Sequence, residues 1–254
     1  MKNQLRIFFT AVMFYSRIPV PKWTGYSKEN LNKATGYFPL VGIIVGAIGG
    51  AVYYAAQLIL PVPVSVLLCM IATILITGAF HEDAISDFCD GFGGGYSKEQ
   101  ILTIMKDSRI GTYGAIGLVM TLLSRYILLS HIEPLRFFAV IVAGNALSRL
   151  NAVGLIFSSE YARNDDTGKS KPIGEKHGIV TLLLAIIFGL TPMAFLPLFS
   201  AMFIIPALLV TLFLFRRYIH KIIGGYTGDM LGALQQISEL VFYLFFLVSM
   251  NFVK

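Results

Sequence analysis

Long apolar stretches dominate this chain and constrain its fold more than any other feature. Hydrophobic residues make up 56% of the 254 residues and charged residues only 13%, whereas a soluble domain carries roughly 25% charge. A helix needs about 20 mostly apolar residues to span a bilayer. Stretches of about that length lie at residues 36–60, 62–80, 111–130, 135–157, 178–197, 199–215 and 234–252. The sequence therefore predicts an all-α, polytopic membrane bundle with about six or seven transmembrane helices.

The charges between these stretches predict how the bundle is oriented. Lys and Arg are concentrated in segments 1–35, 81–110, 158–177 and 216–233, and the other connections carry almost no charge. Seven spans would place all four basic segments on one side. Cytoplasmic loops of membrane proteins carry the excess of Lys and Arg, so we expect this side to be cytoplasmic.

The N-terminus reads as an interfacial helix. Lys2 and Arg6 precede the short apolar run 7–15, which resembles a signal peptide, but no small-x-small cleavage site follows. We therefore expect residues 1–35 to lie at the interface. The whole chain, residues 1–254, is predicted to form a single membrane-embedded domain.

The glycines, the cysteines and the net charge limit the kinds of packing and binding site that the sequence allows. Gly42, Gly46 and Gly50 form two overlapping G-x-x-x-G patterns, which indicate close helix packing. Cys69 and Cys89 lie far apart and predict neither a disulfide framework nor a zinc knuckle. No nucleic-acid recognition module is evident. The net charge of +6 suits phosphate-bearing ligands.

An acidic run follows the second apolar stretch. Asp83, Asp87 and Asp90 are spaced i, i+4, i+7, which places them on one helical face. If the helix of residues 62–80 continues through them, they lie near its C-terminus, where the helix dipole disfavours negative charge. A divalent cation would offset the repulsion, and oxygen ligands suit Mg²⁺ or Mn²⁺. Glu82 lies about a quarter-turn off this face and is a weaker ligand candidate.

Glycines and cations follow the acids. Gly93 and Gly94 could adopt positive φ and expose N–H groups to a phosphate, or they could form a helix C-cap and a turn. Lys106 and Arg109 could neutralise phosphate oxygens, and an arginine can hold a phosphate through two hydrogen bonds. The alternative is a solvated basic loop.

Three further groups are candidates for binding. Asn145 and Arg149 share a face in the fourth apolar stretch, so Arg149 faces a bundle interior, an aqueous cavity or the interface, or snorkels to the membrane edge. The polar loop 163–177, with Lys169, could clamp an anionic substrate or be merely solvated. Thr227 could cap the last helix, with Asp229 either in its first turn or as a further metal ligand.

At these residues the chain resembles the cobalamin synthase, or adenosylcobinamide-GDP ribazoletransferase, family. The resemblance rests on residues 14–21, 80–91, 104–114 and 224–232, with Glu239. It implies a Mg²⁺-dependent enzyme integral to the cytoplasmic (inner) membrane, with its active site on the cytoplasmic side. It also implies a reaction that joins adenosylcobinamide-GDP to α-ribazole or its 5′-phosphate and releases GMP.

The resemblance and the residue patterns together predict the site. The chain departs from the usual family pattern His-x-Asp-Gly-Leu-Ala-Asp at Ala84, Ser86 and Glu82. The predicted catalytic residues are Asp87, Asp90, Lys106 and Arg109. The predicted Mg²⁺ ligands are Asp83, Asp87, Asp90, Asp229 and Glu82. The predicted substrate-binding residues are Arg17, Gly93, Gly94, Asp107, Ser108, Asn145, Arg149, Lys169 and Thr227.

Several alternatives stay open. A lipid head-group enzyme of the CDP-alcohol phosphotransferase kind also lines membrane helices with aspartates, but its Asp-Gly-x-x-Ala-Arg pattern is absent here. A cation transporter would place its acids near the membrane midplane, not at one interface. One or two metal ions fit equally well. The expected partners are the two substrates and the lipid bilayer, with no nucleic acid. Association with further copies of the chain or with other cobalamin-assembly enzymes is left open.

Overall fold

The computed structural model describes residues 2–162 and 178–252, and the regular structure of these residues is helical. Short 3₁₀ turns at Lys22–Thr24, Thr35–Tyr37 and Thr191–Phe195 supplement the α-helices. The α-helices are α1 (Lys2–Tyr15), α2 (Lys28–Ala34), α3 (Phe38–Gln57), α4 (Val62–Thr77), α5 (Phe80–Gly94), α6 (Lys98–Ile104), α7 (Thr112–Ser130), α8 (Pro134–Ser158), α9 (Ile179–Leu190), α10 (Leu198–Ile222) and α11 (Gly228–Asn251).

The predicted helical membrane bundle is confirmed. Among the described residues, five helical segments are long and apolar enough to cross a membrane: Lys28–Gln57, which joins α2 to α3, and helices α7, α8, α10 and α11. The pair α4 and α5 makes a sixth if a bent pair counts as one span. The predicted span at 178–197 corresponds to the shorter apolar segment Ile179–Phe195.

The structure corrects the relation between α4 and the acidic run. Gly78 (φ 67°) and Ala79 (φ 58°) both adopt left-handed conformations, so the chain turns by 87° and starts a new helix at Phe80. An alanine in this conformation costs about 1 kcal/mol. Asp83 therefore lies in the first turn of α5, not near the end of α4. The dipole of α5 favours this carboxylate, contrary to the prediction.

Helix α3 packs closely on α8 through small residues, as the G-x-x-x-G patterns predict. A Cβ atom added to Gly46 would lie 2.8 Å from the Cα of Val142, and one added to Gly42 would lie 2.8 Å from Cδ of Arg149. These glycines therefore bring the α8 backbone, and with it Arg149, into the bundle interior. Cys69 and Cys89 are free thiols.

The basic segments meet at one end of the bundle. Leu31, Ile101 and Ile223, from three of these segments, belong to one buried apolar cluster. The Arg216 guanidinium donates to the carbonyl of Ser158 at 2.8 Å, which ties the ends of α10 and α8 together. This arrangement agrees with the prediction that the basic segments share one side, and the identity of that side stays a prediction.

Candidate active site

Helix α5 carries two kinds of acidic side chain. Asp83 is exposed and Asp87 is half-buried, whereas Glu82 and Asp90 are only 6% and 8% exposed. The sequence predicts one ligand set from all four, but the structure gives the buried pair other partners. The two groups are therefore described separately.

Asp90 anchors the N-terminus of α7. The N–H of Gly111 donates to Oδ2 of Asp90 at 2.7 Å, and the N–H of Gly114 donates to Oδ1 at 2.8 Å. A Cβ atom on Gly114 would overlap this carboxylate and lie 2.7 Å from Oγ of Ser86. The paired glycines and the helix dipole thus bind the carboxylate as an anion. The sequence singles out Asp90 as a ligand and catalyst, and does not predict this anchoring role.

Glu82 faces the interior of the bundle. Its Oε1 lies 3.7 Å from Nη1 of Arg125 and accepts a hydrogen bond from Nε2 of Gln236 at 3.3 Å. Through these contacts Glu82 belongs to a buried cluster of charged side chains. The structure therefore gives no support to Glu82 as a metal ligand.

Helix α11 lies antiparallel along α5. Gly232 packs against Ala84, and Gln236 binds Glu82 one turn later. Asp229 lies three residues before Gly232, which in this antiparallel packing is the direction of Asp87 along α5. The predicted approach of these two acids is thus compatible with the packing.

Thr227 begins α11. Its Oγ1 accepts from the N–H of Met230 at 3.4 Å, and its side chain is fully buried. The structure supports the capping alternative for this residue and leaves it no surface for contact with substrate.

The complete predicted set of metal ligands does not assemble. Among residues 2–162 and 178–252, no group of three or more His, Cys, Asp or Glu side chains is placed to hold a metal ion. However, Mg²⁺ is commonly bound by one or two carboxylates, with substrate phosphates and water completing the shell. One or two of the acids Asp83, Asp87 and Asp229 would meet that smaller requirement by their chemistry.

The glycines at the end of α5 serve packing. Gly93 and Gly94 are helical, and neither is among the described residues with positive φ. A Cβ atom on Gly93 would meet the ring of Tyr113 at 2.8 Å. Helical N–H groups at a C-terminus already have carbonyl partners within the helix. The structure therefore gives no support to a phosphate cradle of positive-φ glycines, and the C-cap alternative is nearer to what is seen.

The basic loop between α6 and α7 lies next to the end of α5, because Asp90 holds its last residue, Gly111. Lys106, Ser108 and Arg109 are exposed there. The Arg109 guanidinium binds Asp107 at 2.6 Å, and its backbone N–H donates to the same carboxylate at 3.1 Å. These hydrogen bonds lower the pKa of Asp107 to about 2. The loop therefore places the ion pair of Arg109 and Asp107 near the end of α5 that carries Asp90.

The remaining predicted binding residues are dispersed. Arg149 is 1% exposed and binds the carbonyl and side-chain oxygens of Asn145, both at 2.9 Å, which confirms the bundle interior and excludes snorkelling. Neither of the two is accessible to substrate here. Arg17 is exposed and lies over Gly78 at the bend between α4 and α5. Lys169 lies outside the described residues.

Arg125 is the residue that sequence reasoning missed. It lies in the C-terminal half of α7, is 2% exposed, and binds Glu239 at 3.0 Å. An arginine inside an apolar stretch is rare and is a signal in itself. The apolar composition of stretch 111–130 concealed it.

The fold and site define a polytopic helical membrane protein with carboxylates and cations gathered at one end. A family model described as cobalamin-5-phosphate synthase matches residues 7–247. Adenosylcobinamide-GDP ribazoletransferase of Shewanella frigidimarina is 46% identical over 245 residues, covering 95% of this chain and 94% of the relative. The enzymes of the same name from Shewanella halifaxensis and Vibrio parahaemolyticus are 43% and 44% identical, covering 97% and 96% of this chain, and 96% and 92% of those relatives.

The chain belongs to the cobalamin-5-phosphate synthase family, which confirms the family predicted from its motifs. No solved structure matches it.

Proposed function

We propose that this chain is the transferase that joins adenosylcobinamide-GDP to α-ribazole or its 5′-phosphate and releases GMP, the last step of cobalamin nucleotide-loop assembly. The observation that carries the proposal is the similarity to ribazoletransferases along nearly the whole of both chains, at 46% identity for one of them. The acids of α5 and α11 and the loop of Lys106 and Arg109 lie within the matched residues.

The bond changes follow from the substrates. The ribazole hydroxyl oxygen attacks the phosphorus that bears cobinamide, the bond from that phosphorus to GMP breaks, and the hydroxyl proton leaves. Such transition states carry charge on the phosphoryl oxygens, so positioning and electrostatics supply most of the catalysis.

The cations of the basic loop would bind the diphosphate. Lys106 and Arg109 would hold non-bridging oxygens, with Arg109 exchanging part of its contact with Asp107 for a phosphate. A guanidinium can bind a carboxylate or a phosphate in the same bidentate geometry, so this exchange keeps its donors paired.

The exposed acids would serve the metal and the proton. Bound Mg²⁺ would supply charge neutralisation at the leaving GMP, and one or two of the acids Asp83, Asp87 and Asp229 would hold it together with substrate oxygens. Asp87 would accept the hydroxyl proton, because it is more exposed than Asp90, which is buried against the N-terminus of α7. The positive-inside rule supports a cytoplasmic location of this end, in the cytoplasmic membrane.

The test is GMP release by purified, detergent-solubilised protein given adenosylcobinamide-GDP and α-ribazole, with Mg²⁺ or with EDTA. We expect Mg²⁺-dependent GMP release matched by equal formation of the cobalamin product. Absence of both from folded protein would contradict the proposal, and CDP-alcohol substrates would then be tested. Equal rates of GMP release with Mg²⁺ and with EDTA would contradict the proposed metal dependence and leave the proposed reaction standing.

A further inference from the structure

A buried charge cluster lies in the bundle interior, around Arg125. One terminal nitrogen of this guanidinium, Nη2, lies 3.0 Å from Oε1 of Glu239 on α11 and donates to Oγ1 of Thr73 on α4 at 3.2 Å. The other, Nη1, lies 3.7 Å from Oε1 of Glu82 on α5. One side chain from α7 thus contacts three other helices.

The two carboxylates of this cluster are held by further hydrogen bonds. The Tyr243 hydroxyl donates to Glu239 at 2.7 Å, and the Gln235 amide donates to the other oxygen at 2.8 Å. Gln236 donates to Glu82 at 3.3 Å. Buried charges are tolerated only when their partners are placed in this way. The cluster therefore fixes the relative positions of α5, α7 and α11.

The surrounding space leaves little freedom for rearrangement. The cavity that these side chains line measures about 10 Å³, which is about the space of one water molecule. Arg125 cannot swing to another position without displacing its neighbours.

Helix α5 is therefore fastened to α7 at both ends. Glu82, in the first turn, binds Arg125, and Asp90, in the last turns, binds the N-terminus of α7. Asp83, which is exposed, and Asp87, which is half-buried, lie between these two anchors. The guanidinium also joins α5 to α11, which carries Asp229.

We propose that Arg125 is a positioning residue for the transfer reaction. Its bridge between Glu82 and Glu239 sets the register of α5, which carries Asp83 and Asp87, against α11, which carries Asp229. This inference rests on the proposed function. Lysine at this position would keep the charge but has a single ammonium group, which cannot serve both carboxylates in the fork geometry of arginine.

The experiment compares Arg125→Lys with the wild type in two independent measurements. The first is steady-state GMP release. The second is the distance distribution between spin labels at Phe80→Cys on α5 and Leu244→Cys on α11, in a Cys89→Ala background, by double electron–electron resonance. Both labelled positions are partly exposed, and Cys69 is buried. The matched control is Arg136→Lys, which alters an exposed ion pair with Glu133.

We expect Arg125→Lys to lower kcat about tenfold to a hundredfold, with KM for both substrates unchanged within about twofold. The distance distribution should broaden, and the control should change neither quantity. If Arg125→Lys does not fold, Glu82→Gln, which removes only the α5 arm of the bridge, should give the same pattern.

Wild-type kcat, or a lowered kcat with an unchanged distance distribution, would overturn the positioning role. A wild-type protein that releases no GMP would instead refute the proposed function. The distance distribution would still decide whether the bridge sets the register, since that measurement needs no turnover.

Discussion

Helix α5 carries two buried acids, which we call inward, and two more exposed acids, which we call outward, and the structure gives the two groups different surroundings. Glu82 and Asp90 are buried and bind groups of α7, whereas Asp83 is exposed and Asp87 is half-buried. A regular i, i+4, i+7 spacing therefore does not by itself define a ligand set. Burial separates the side chains that hold the helix from those that are accessible for chemistry.

The largest expected effect concerns an outward acid. Asp87→Asn should lower kcat for GMP release on the order of a thousandfold, because a carboxylate at the reacting phosphate would be replaced by a neutral amide. The unfolding temperature should fall by less than in Asp90→Asn, because Asp87 is half-buried and Asp90 is buried. Steady-state assays and thermal unfolding in detergent measure the two quantities.

A suitable control for Asp87→Asn is Glu133→Gln, which removes an exposed carboxylate before α8 and should leave kcat at the wild-type value. Retained activity in Asp87→Asn would remove Asp87 from the site. Loss of folded protein would move it to the group of structural acids.

An inward acid should show the reverse pattern. Asp90→Asn keeps the shape of the side chain but leaves one of the N–H groups of Gly111 and Gly114 without an oxygen acceptor. We expect a loss of about 1.5–3 kcal/mol in the free energy of unfolding, the usual contribution of a hydrogen bond to a charged group. Denaturant unfolding measures this loss, and an unchanged stability would contradict the anchoring role.

The contact between Asp90 and α7 can be tested from the other partner. Gly114→Ala should destabilise the protein by about 1–3 kcal/mol, because the added methyl group overlaps the carboxylate. In an Asp90→Ala background the same substitution should cost less, since the overlapping atoms are gone. Additive costs in this double-mutant cycle would show that the two residues do not interact.

The smallest effect is expected at the exposed pair of Asp107 and Arg109. Its guanidinium hydrogen bonds lower the pKa of Asp107 to about 2, below the ordinary value of about 3.9. The pair is therefore intact above the ordinary value and is lost as the pH falls through about 2. Asp107→Asn should free Arg109 for phosphate and lower KM for adenosylcobinamide-GDP, without changing the unfolding temperature. A raised KM would show that Asp107 itself assists binding.

Much of the fold was predictable because apolar length and flanking charge are local signals. The predicted spans at 111–130 and 135–157 agree with α7 and α8 to within one residue at each end. The break between α4 and α5 was missed, because Gly78 and Ala79 lie inside an uncharged run that reads as one helix. Two left-handed residues are enough to redirect the acidic run by 87°.

The site was predictable only in part, since its partners are distant in sequence. Spacing identified the acids but not which of them are buried. The contacts of Asp90 with Gly111 and of Glu82 with Arg125 depend on the packing of α5 against α7. The capping role of Thr227 was predictable, because a capping side chain and the backbone N–H group that donates to it are close in sequence.

The most direct test compares two neighbouring acids, Glu82 and Asp83, in one experiment that records kcat for GMP release and the unfolding temperature. Asp83→Asn should lose turnover and keep the wild-type unfolding temperature, whereas Glu82→Gln should lower the unfolding temperature because it breaks a buried contact with Arg125. If Asp83→Asn lowers the unfolding temperature as much as Glu82→Gln does, or keeps full turnover, the division between outward and inward acids is wrong.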